Sequence, residues 1–161
     1  MRKGFTAVFA ALAAIAVALV VALPAGAAGN AGSTQVTTFD PTGATFPCAN
    51  GTTYTVTGGT VKSIMHFSTD GSGGGHVTGT ISPTGVTLTD GTTNTVYRLA
   101  GASWFGGNFT ASGNFVATDT SFFNILGPSG GPVGRVAAVE HSSSGGTNWS
   151  FSFGQCSAPN D

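Results

Sequence analysis

The last apolar stretch of the chain reads Asn148-Trp149-Ser150-Phe151-Ser152-Phe153-Gly154-Gln155-Cys156. Its aromatic side chains alternate with serines, and a period of two is typical of a half-buried β-strand. The stretch ends in one of only two cysteines, and the other, Cys48, lies near the start of the predicted folded part. We expect a structural disulfide between Cys48 and Cys156 that joins the first and last parts of the fold.

The first 28 residues predict a secretory signal peptide. Arg2 and Lys3 form a positive start, residues 5–23 are almost uninterruptedly apolar, and small residues at Ala27 and Ala28 suit a signal peptidase. The apolar run is also long enough to cross a bilayer as a helix, so an uncleaved anchor at the cell surface is the alternative. We therefore predict a secreted, extracellular protein that has no membrane contact once the signal is removed.

The composition of the remaining chain limits its partners. Without the signal, three basic residues stand against six acids, a net charge of −3. The basic residues are Lys62, Arg98 and Arg135. They form no cluster in the sequence, so we expect no binding to nucleic acid. A chain of this size forms one domain. The predicted organisation is a signal peptide over 1–28, a flexible leader over 29–47 and a β-barrel domain over 48–161.

Beyond Cys48, short β-prone runs alternate with turn signals such as Asn50-Gly51, Gly58-Gly59 and Pro83-Thr84-Gly85. This pattern predicts an all-β fold, and no later stretch has a helical period. The predicted strands span 52–56, 60–69, 76–81, 86–89, 95–100, 108–111, 114–118, 121–126, 133–141 and 149–153, with a further candidate over 35–39. Short connections and the terminal disulfide favour a single closed antiparallel up-and-down barrel of about eight strands, with a β-sandwich as the alternative.

The apolar residues at alternating positions predict the core. They are Phe67, Val77, Ile81, Val86, Leu88, Tyr97, Leu99, Phe109, Phe115, Phe122, Ile125, Val136, Phe151 and Phe153. Trp104 and Phe105 adjoin Gly106-Gly107 and would either plug one end of the barrel or line the mouth of a cavity.

Catalytic and metal motifs are not found in the sequence. His66, His76 and His141 are weak candidate metal ligands, because they follow neither an H-x-H nor an H-E-x-x-H spacing. No serine lies in a G-x-S-x-G motif. Asp70, Asp90 and Asp119 are predicted in turns, where aspartate bonds the local main chain. We predict no catalytic residue, no metal and no cofactor.

Several segments together resemble a group of known proteins: residues 96–102, Trp104-Phe105-Gly106-Gly107, the glycine-rich loop before Val133, and residues 151–156. They are similar to small secreted lipocalin-like or calycin-like β-barrel proteins of high-GC Gram-positive bacteria, which have no characterised activity. The resemblance extends over most of the chain after Thr52. It implies a barrel fold and an extracellular location, and it assigns no catalytic residue.

The leading functional hypothesis is a non-enzymatic module that holds a small apolar or amphipathic ligand in its barrel or at the barrel mouth. Its predicted contacts are Trp104, Phe105 and Tyr97, with Arg135 at the rim for an anionic group. The alternative is an extracellular structural or protein-interaction module with a packed core, which would bind a cell-surface protein. A barrel cyclase or isomerase, or a histidine-metal enzyme, comes third. The sequence leaves the oligomeric state open.

Overall fold

A computed structural model describes residues 32–157, so the predicted signal peptide lies outside the described residues. The described chain forms eight β-strands. They are β1 (Ser33–Phe39), β2 (Thr45–Pro47), β3 (Thr53–Thr69), β4 (Gly75–Asp90), β5 (Val96–Phe109), β6 (Phe115–Leu126), β7 (Pro132–Ser143) and β8 (Gly146–Ser152). The all-β prediction is confirmed. Among residues 32–157, no helix is long and apolar enough to cross a membrane.

The strands form one antiparallel sheet in the order β1-β3-β4-β5-β6-β7-β8. From β3 onward, each strand pairs with the next strand along the chain, because short turns bring consecutive strands side by side. β2 pairs with β3 beyond the end of β1. β1 and β8 do not pair with each other, so the sheet is not closed by hydrogen bonds, and the closed barrel stays a prediction.

Two strands lie in the range 29–47, which the sequence predicts as a flexible leader. β1 pairs with the second half of β3, from Val61 to Phe67, and agrees with the candidate strand over 35–39. β2 pairs with Thr53–Thr55 at the start of β3. Both sections therefore extend the sheet.

Two glycine signals that the sequence assigns to turns lie inside long strands. Gly58-Gly59 in β3 and Pro83-Thr84-Gly85 in β4 face each other where the strand register shifts. Gly59 has a φ of 99°, and a Cβ at this position would collide with the main chain of Gly85. Glycine permits this close, left-handed backbone, so the two strands bend together instead of reversing.

The hydrophobic core lies at one end of the sheet. Leu88, Ile125 and Val136 have no exposed surface, in agreement with the predicted core. The other buried members are Phe46, Tyr54, Val56, Val61, Val86 and Cys156. These side chains come from five strands and the C-terminal segment, so the core depends on contacts far apart in sequence.

Three aromatic residues predicted in the core are exposed instead. The exposed fraction is 39% for Phe122, 62% for Phe151 and 61% for Phe153. All seven residues of β8 are exposed, because this strand has a neighbour on one side only. Alternation therefore separates the two faces of a strand correctly, but it does not show which face is covered.

The predicted disulfide between Cys48 and Cys156 is present. The main chain of Cys156 also forms an isolated parallel β-bridge with Val136 of β7. The N–H of Cys156 donates to the Arg135 carbonyl at 2.9 Å. The N–H of Ala49 donates to the Gln155 carbonyl at 2.7 Å. The C-terminal segment thus lies between the end of β2 and β7, and it joins the two sides of the sheet at the core end.

Candidate functional site

Side chains along β3 to β7 alternate between two faces. On the inner face, Met65, Phe67 and Ser103 are buried. The opposite side is the outer face, which carries Lys62 and Trp104 in exposed positions. Because the strands are in register, side chains on the outer face form rows that run across the sheet.

One outer row is centred on Trp104. This residue pairs with Thr80 on β4 and with Thr120 on β6, and half of its surface is exposed. Ile64 and Val139 continue the row on β3 and β7. A large flat indole therefore lies in a row with a hydroxyl on each side and apolar side chains beyond.

A cation and a second aromatic ring lie next to this row. Phe122 is two residues beyond Thr120 on β6, which makes it a diagonal neighbour of Trp104 across the strand pair. The Arg135 guanidinium carbon lies 5.8 Å from the centre of the Phe122 ring. This is a cation–π contact that holds the positive charge against the aromatic surface.

The neighbouring row is polar and contains two histidines. His66 Nδ1 lies 2.8 Å from Thr34 Oγ1, and His141 Nδ1 lies 3.0 Å from Thr118 Oγ1. The His141 ring also stacks on Trp149, with 5.3 Å between ring centres and 9° between planes. Each imidazole is therefore held through one nitrogen by the neighbouring strand.

The third histidine, His76, lies on β4 and donates from Nδ1 to the Gly107 carbonyl at 2.9 Å. His66 and His76 are diagonal neighbours on β3 and β4, whereas His141 lies on β7. Within residues 32–157, no three histidine, cysteine, aspartate or glutamate side chains are grouped so that they could hold a metal ion. The structure does not bring the three candidate ligands to one point.

Charge is divided between the two faces of the sheet. Lys62, Arg98 and Arg135 are all exposed, and strand alternation places all three on the outer face with the histidines. Asp119 and Glu140 lie on the inner face, and the remaining described acids lie at turns or strand ends. The outer face therefore carries positive charge without a carboxylate among the described strand residues.

The inner face holds a pair of carboxylates. Asp119 accepts hydrogen bonds from Ser103 Oγ at 2.7 Å and from Ser121 Oγ at 3.0 Å. Glu140 is its direct partner on β7. Burial raises the pKa of Asp119, and burial together with the Asp119 charge raises the pKa of Glu140. The sequence predicts a turn at Asp119, but the residue lies within β6.

Tyr97 belongs to a third cluster, at the core end. Its hydroxyl donates to Asp90 Oδ2 at 2.9 Å, and its ring meets Tyr54 edge-on with 4.9 Å between centres. Asp90 also accepts from the hydroxyl and N–H of Thr93 and the N–H of Thr92. The Thr93 hydrogen bonds are the main cause that lowers the pKa of Asp90 to about 2. This cluster ties the β4–β5 turn to the core.

The four predicted contact residues separate into three places. Trp104 and Arg135 share the outer face, where they flank Phe122. Phe105 lies on the inner face, with its ring against Gly79, and Tyr97 packs against the core. The structure therefore does not bring Trp104, Phe105 and Tyr97 to a common mouth.

A depression of about 340 Å³ opens beside the disulfide. Its lining residues are Cys48, Ala49, Asn50, Val133, Gln155 and Cys156. None of the four predicted contact residues lines it.

Phe122, Trp149 and Thr118 belong to this outer surface, although the sequence alone does not point to them as site residues. Strict alternation is a sequence signal only in β8, where it separates Trp149 from the serines. Thr118 and Phe122 of β6 are placed on the outer face by the strand register, which the sequence does not reveal. No protein-family model, curated protein or solved structure matches this chain. Its function is therefore inferred from its own residues.

Proposed function

We propose that this protein is a non-enzymatic binding module outside the cell, and that its outer face binds a carbohydrate chain that carries carboxylates. The observation that carries the proposal is the position of Trp104. Its exposed indole is flanked in register by Thr80 and Thr120, on a face that has cations and no carboxylate among the described strand residues. Such a surface combines an apolar platform, hydroxyl groups and positive charge.

Each feature of the surface suits one part of such a ligand. The apolar C–H face of a sugar ring stacks on a flat aromatic ring, and Trp104 offers the largest exposed ring of its row. Threonine hydroxyls exchange hydrogen bonds with sugar hydroxyls. Arginine binds carboxylates through two parallel N–H donors, and Arg135 is already held against Phe122. Complementary charge favours an acidic polysaccharide over a neutral one.

The packing on the inner face of the sheet favours a ligand that binds on the outer face. At the disulfide end the inner space is filled by the core side chains of Leu88, Ile125 and Val136, which have no exposed surface. The proposal therefore keeps the non-enzymatic binding module of the sequence-based hypothesis, but it replaces the small apolar or amphipathic ligand inside the barrel with a carboxylated carbohydrate chain on the outer face.

Two wider features belong to the same proposal. The disulfide between Cys48 and Cys156 is compatible with an extracellular location, where cysteines are oxidised. We also propose that the strands curl into a barrel whose ends meet at this disulfide. The bridges from Cys156 to Cys48 and to Val136 support that closure at the core end.

Calorimetric titration with oligogalacturonate and with a neutral dextran oligosaccharide tests the proposal. We expect binding of the carboxylated chain to weaken with salt, because charge contributes to it. Trp104→Ala should weaken binding at least tenfold, and Arg135→Gln should reduce binding of the carboxylated chain only. Val133→Ala is the matched control, because Val133 is similarly exposed, at 47%, but lies away from the Trp104 row. Absence of binding to both sugars, or an unchanged affinity in Trp104→Ala, would contradict the proposal.

A further inference from the structure

The sheet has two free edges among the described residues. β1 pairs only with β3, and β8 pairs only with β7. No Cα atom of β1 lies within 8 Å of a Cα atom of β8, so the two edges do not complete each other. A strand with one neighbour presents a row of main-chain N–H and C=O groups that can pair with another strand.

β8 lacks the charges and prolines that often protect such an edge, and its register shift against β7 lies before Trp149. Its seven residues include no charged side chain and no proline, and all seven are exposed. Its sequence instead places Trp149, Phe151 and then Phe153 on one face, with exposed fractions of 40%, 62% and 61%. Natural proteins avoid long, uncharged, aromatic edges unless the edge is used.

The hydrogen bonds between β8 and β7 show which main-chain groups of β8 remain available to pair with another strand. The N–H of Phe153 donates to the Ala137 carbonyl of β7 at 2.9 Å. Main-chain groups of alternate residues point to the same side of a strand, so those of Phe151 and Trp149 also face β7. The main-chain groups of Ser150 and Ser152 therefore point to the free edge.

We propose that two copies of this chain pair through β8, antiparallel, about a two-fold axis at Phe151. In this register, Ser150 exchanges main-chain hydrogen bonds with Ser152 of the second copy, and Ser152 with Ser150. Phe151 then faces Phe151 of the second copy in a non-hydrogen-bonded pair, where side chains approach most closely. The register uses the outward-pointing groups of both edges without disturbing the ladder to β7.

The side chains of the two edges complement each other in this register. Trp149 of one copy faces Phe153 of the other, so six aromatic rings form one continuous group on the outer face. The serines face each other on the inner side and carry no charge. The nearest ionisable inner group is Glu140, which pairs with Ser150 from β7. The two copies of Glu140 are three strand spacings apart across the sheet and offset by two residues along it, about 16 Å in all, a distance over which salt screens their repulsion.

The pairing is independent of the proposed carbohydrate site, because Trp104 lies on β5, three strands from β8 in the sheet order. The interface is small, since it consists of one strand edge and three aromatic side chains per copy. We therefore expect a dimer that dissociates in roughly the micromolar range, as for interfaces at the low end of specific contact areas.

Sedimentation velocity of the chain, with its disulfide intact, tests the dimer over about 1–200 µM, concentrations that span the expected micromolar dissociation constant. We expect the wild type to change from monomer to dimer, and Phe151→Lys to remain monomeric. Val36→Lys is the matched control, because Val36 is 56% exposed on the other edge strand, β1. It should dimerise like the wild type. Circular dichroism verifies that both variants are folded.

A cross-linking variant tests the register and does not depend on the lysine variant. Phe151→Cys should form a covalent dimer on mild oxidation, because non-hydrogen-bonded partners lie within disulfide reach. Val36→Cys should remain monomeric under the same conditions. The proposal would be overturned if the wild type were monomeric throughout, or if the dimer survived in Phe151→Lys. It would also be overturned if Val36→Lys dissociated the dimer as much as Phe151→Lys does. The last result would indicate pairing of β1 with β8 of the next copy.

Discussion

Asp119 and Glu140 are direct cross-strand partners on β6 and β7, and both side chains lie on the inner face of the sheet. Strand alternation places the described lysine and arginines on the outer face, so the pair has no cationic neighbour on its own side. Ser103 and Ser121 donate hydrogen bonds to Asp119. These bonds lower its pKa, but burial has the larger, opposite effect.

Asp119→Asn should stabilise the protein at neutral pH. The pKa values of Asp119 and Glu140 are raised above their ordinary values of 3.8 and 4.5. The folded state therefore binds these protons more tightly than the unfolded chain does. This contribution to stability is complete below the ordinary values and is lost as pH rises through the raised values. Removing the buried charge should therefore increase the free energy of unfolding at pH 7.

Urea denaturation at pH 4 and pH 7 measures the effect of Asp119→Asn. The free energy of unfolding contributed by the carboxylate pair should rise in the wild type between pH 7 and pH 4. In the variant this rise should be smaller. Asp40→Asn is a suitable control, because hydrogen bonds from Thr42 lower the pKa of this exposed carboxyl. Equal destabilisation by Asp119→Asn at both pH values would show that its hydrogen bonds outweigh its burial.

Asp90 should have the opposite pH dependence. Its pKa is lowered to about 2, first by the Thr93 hydroxyl and then by the Thr93 N–H. The folded state therefore releases this proton more readily than the unfolded chain. The stabilisation is present above about pH 4 and is lost as pH falls towards 2. Asp90→Asn should destabilise the protein at pH 7 and have a much smaller effect at pH 2, as measured by thermal unfolding at both values. A loss of equal size at pH 2 would assign the role of Asp90 to packing.

Gly79→Ala should destabilise the fold through the inner face. A Cβ at Gly79 would collide with the Phe105 ring and would lie 2.6 Å from the Ile64 carbonyl oxygen. Overpacking of this kind costs about 1–3 kcal/mol. Gly91→Ala provides the control, because a Cβ at Gly91 has no atom within 4 Å. Chemical denaturation compares the two variants, and equal stability of both would mean that the Phe105 ring moves aside freely.

Removing the disulfide should cost a large part of the total stability. Cys48 and Cys156 are 108 residues apart in sequence, and cross-linking a loop of this length stabilises a protein by about 4–5 kcal/mol in the chain-entropy model. The double variant Cys48→Ser, Cys156→Ser should therefore unfold at a much lower urea concentration than the oxidised protein. The reduced wild type is the control, because it loses the same bond without a substitution. A shift below about 1 kcal/mol would show that main-chain bonds such as Cys156 N–H to Arg135 suffice.

The sequence predicts some of these features well because they depend on local pattern. Alternation in 149–153 predicted a strand, and the two cysteines allowed only one disulfide within the chain. Strand lengths were predicted less well. Gly58-Gly59 and Gly85 suit a turn or a bulge equally, because glycine permits both backbones. The choice depends on the opposite strand, which the sequence does not identify.

The candidate site was predicted only in part. Trp104 and Arg135 were singled out by residue type, and the structure places them on the same face. Phe105 and Tyr97 are grouped with them as aromatic residues, but strand alternation places both on the inner face, opposite Trp104. Phe122 was predicted in the core, since an alternating strand does not reveal which of its faces is covered.

The amino-acid pattern specified the all-β class, the alternating faces and the identity of the disulfide partners, since each depends on neighbouring residues or on a count of two cysteines. Other features depended on how the strands assemble. These are the burial of one face, the meeting of Asp119 with Glu140, the collection of the cations on the outer face and the free aromatic edge of β8. They follow from strand register and from coverage by distant segments, because burial is a property of the whole sheet and a single strand contains only half of each pair.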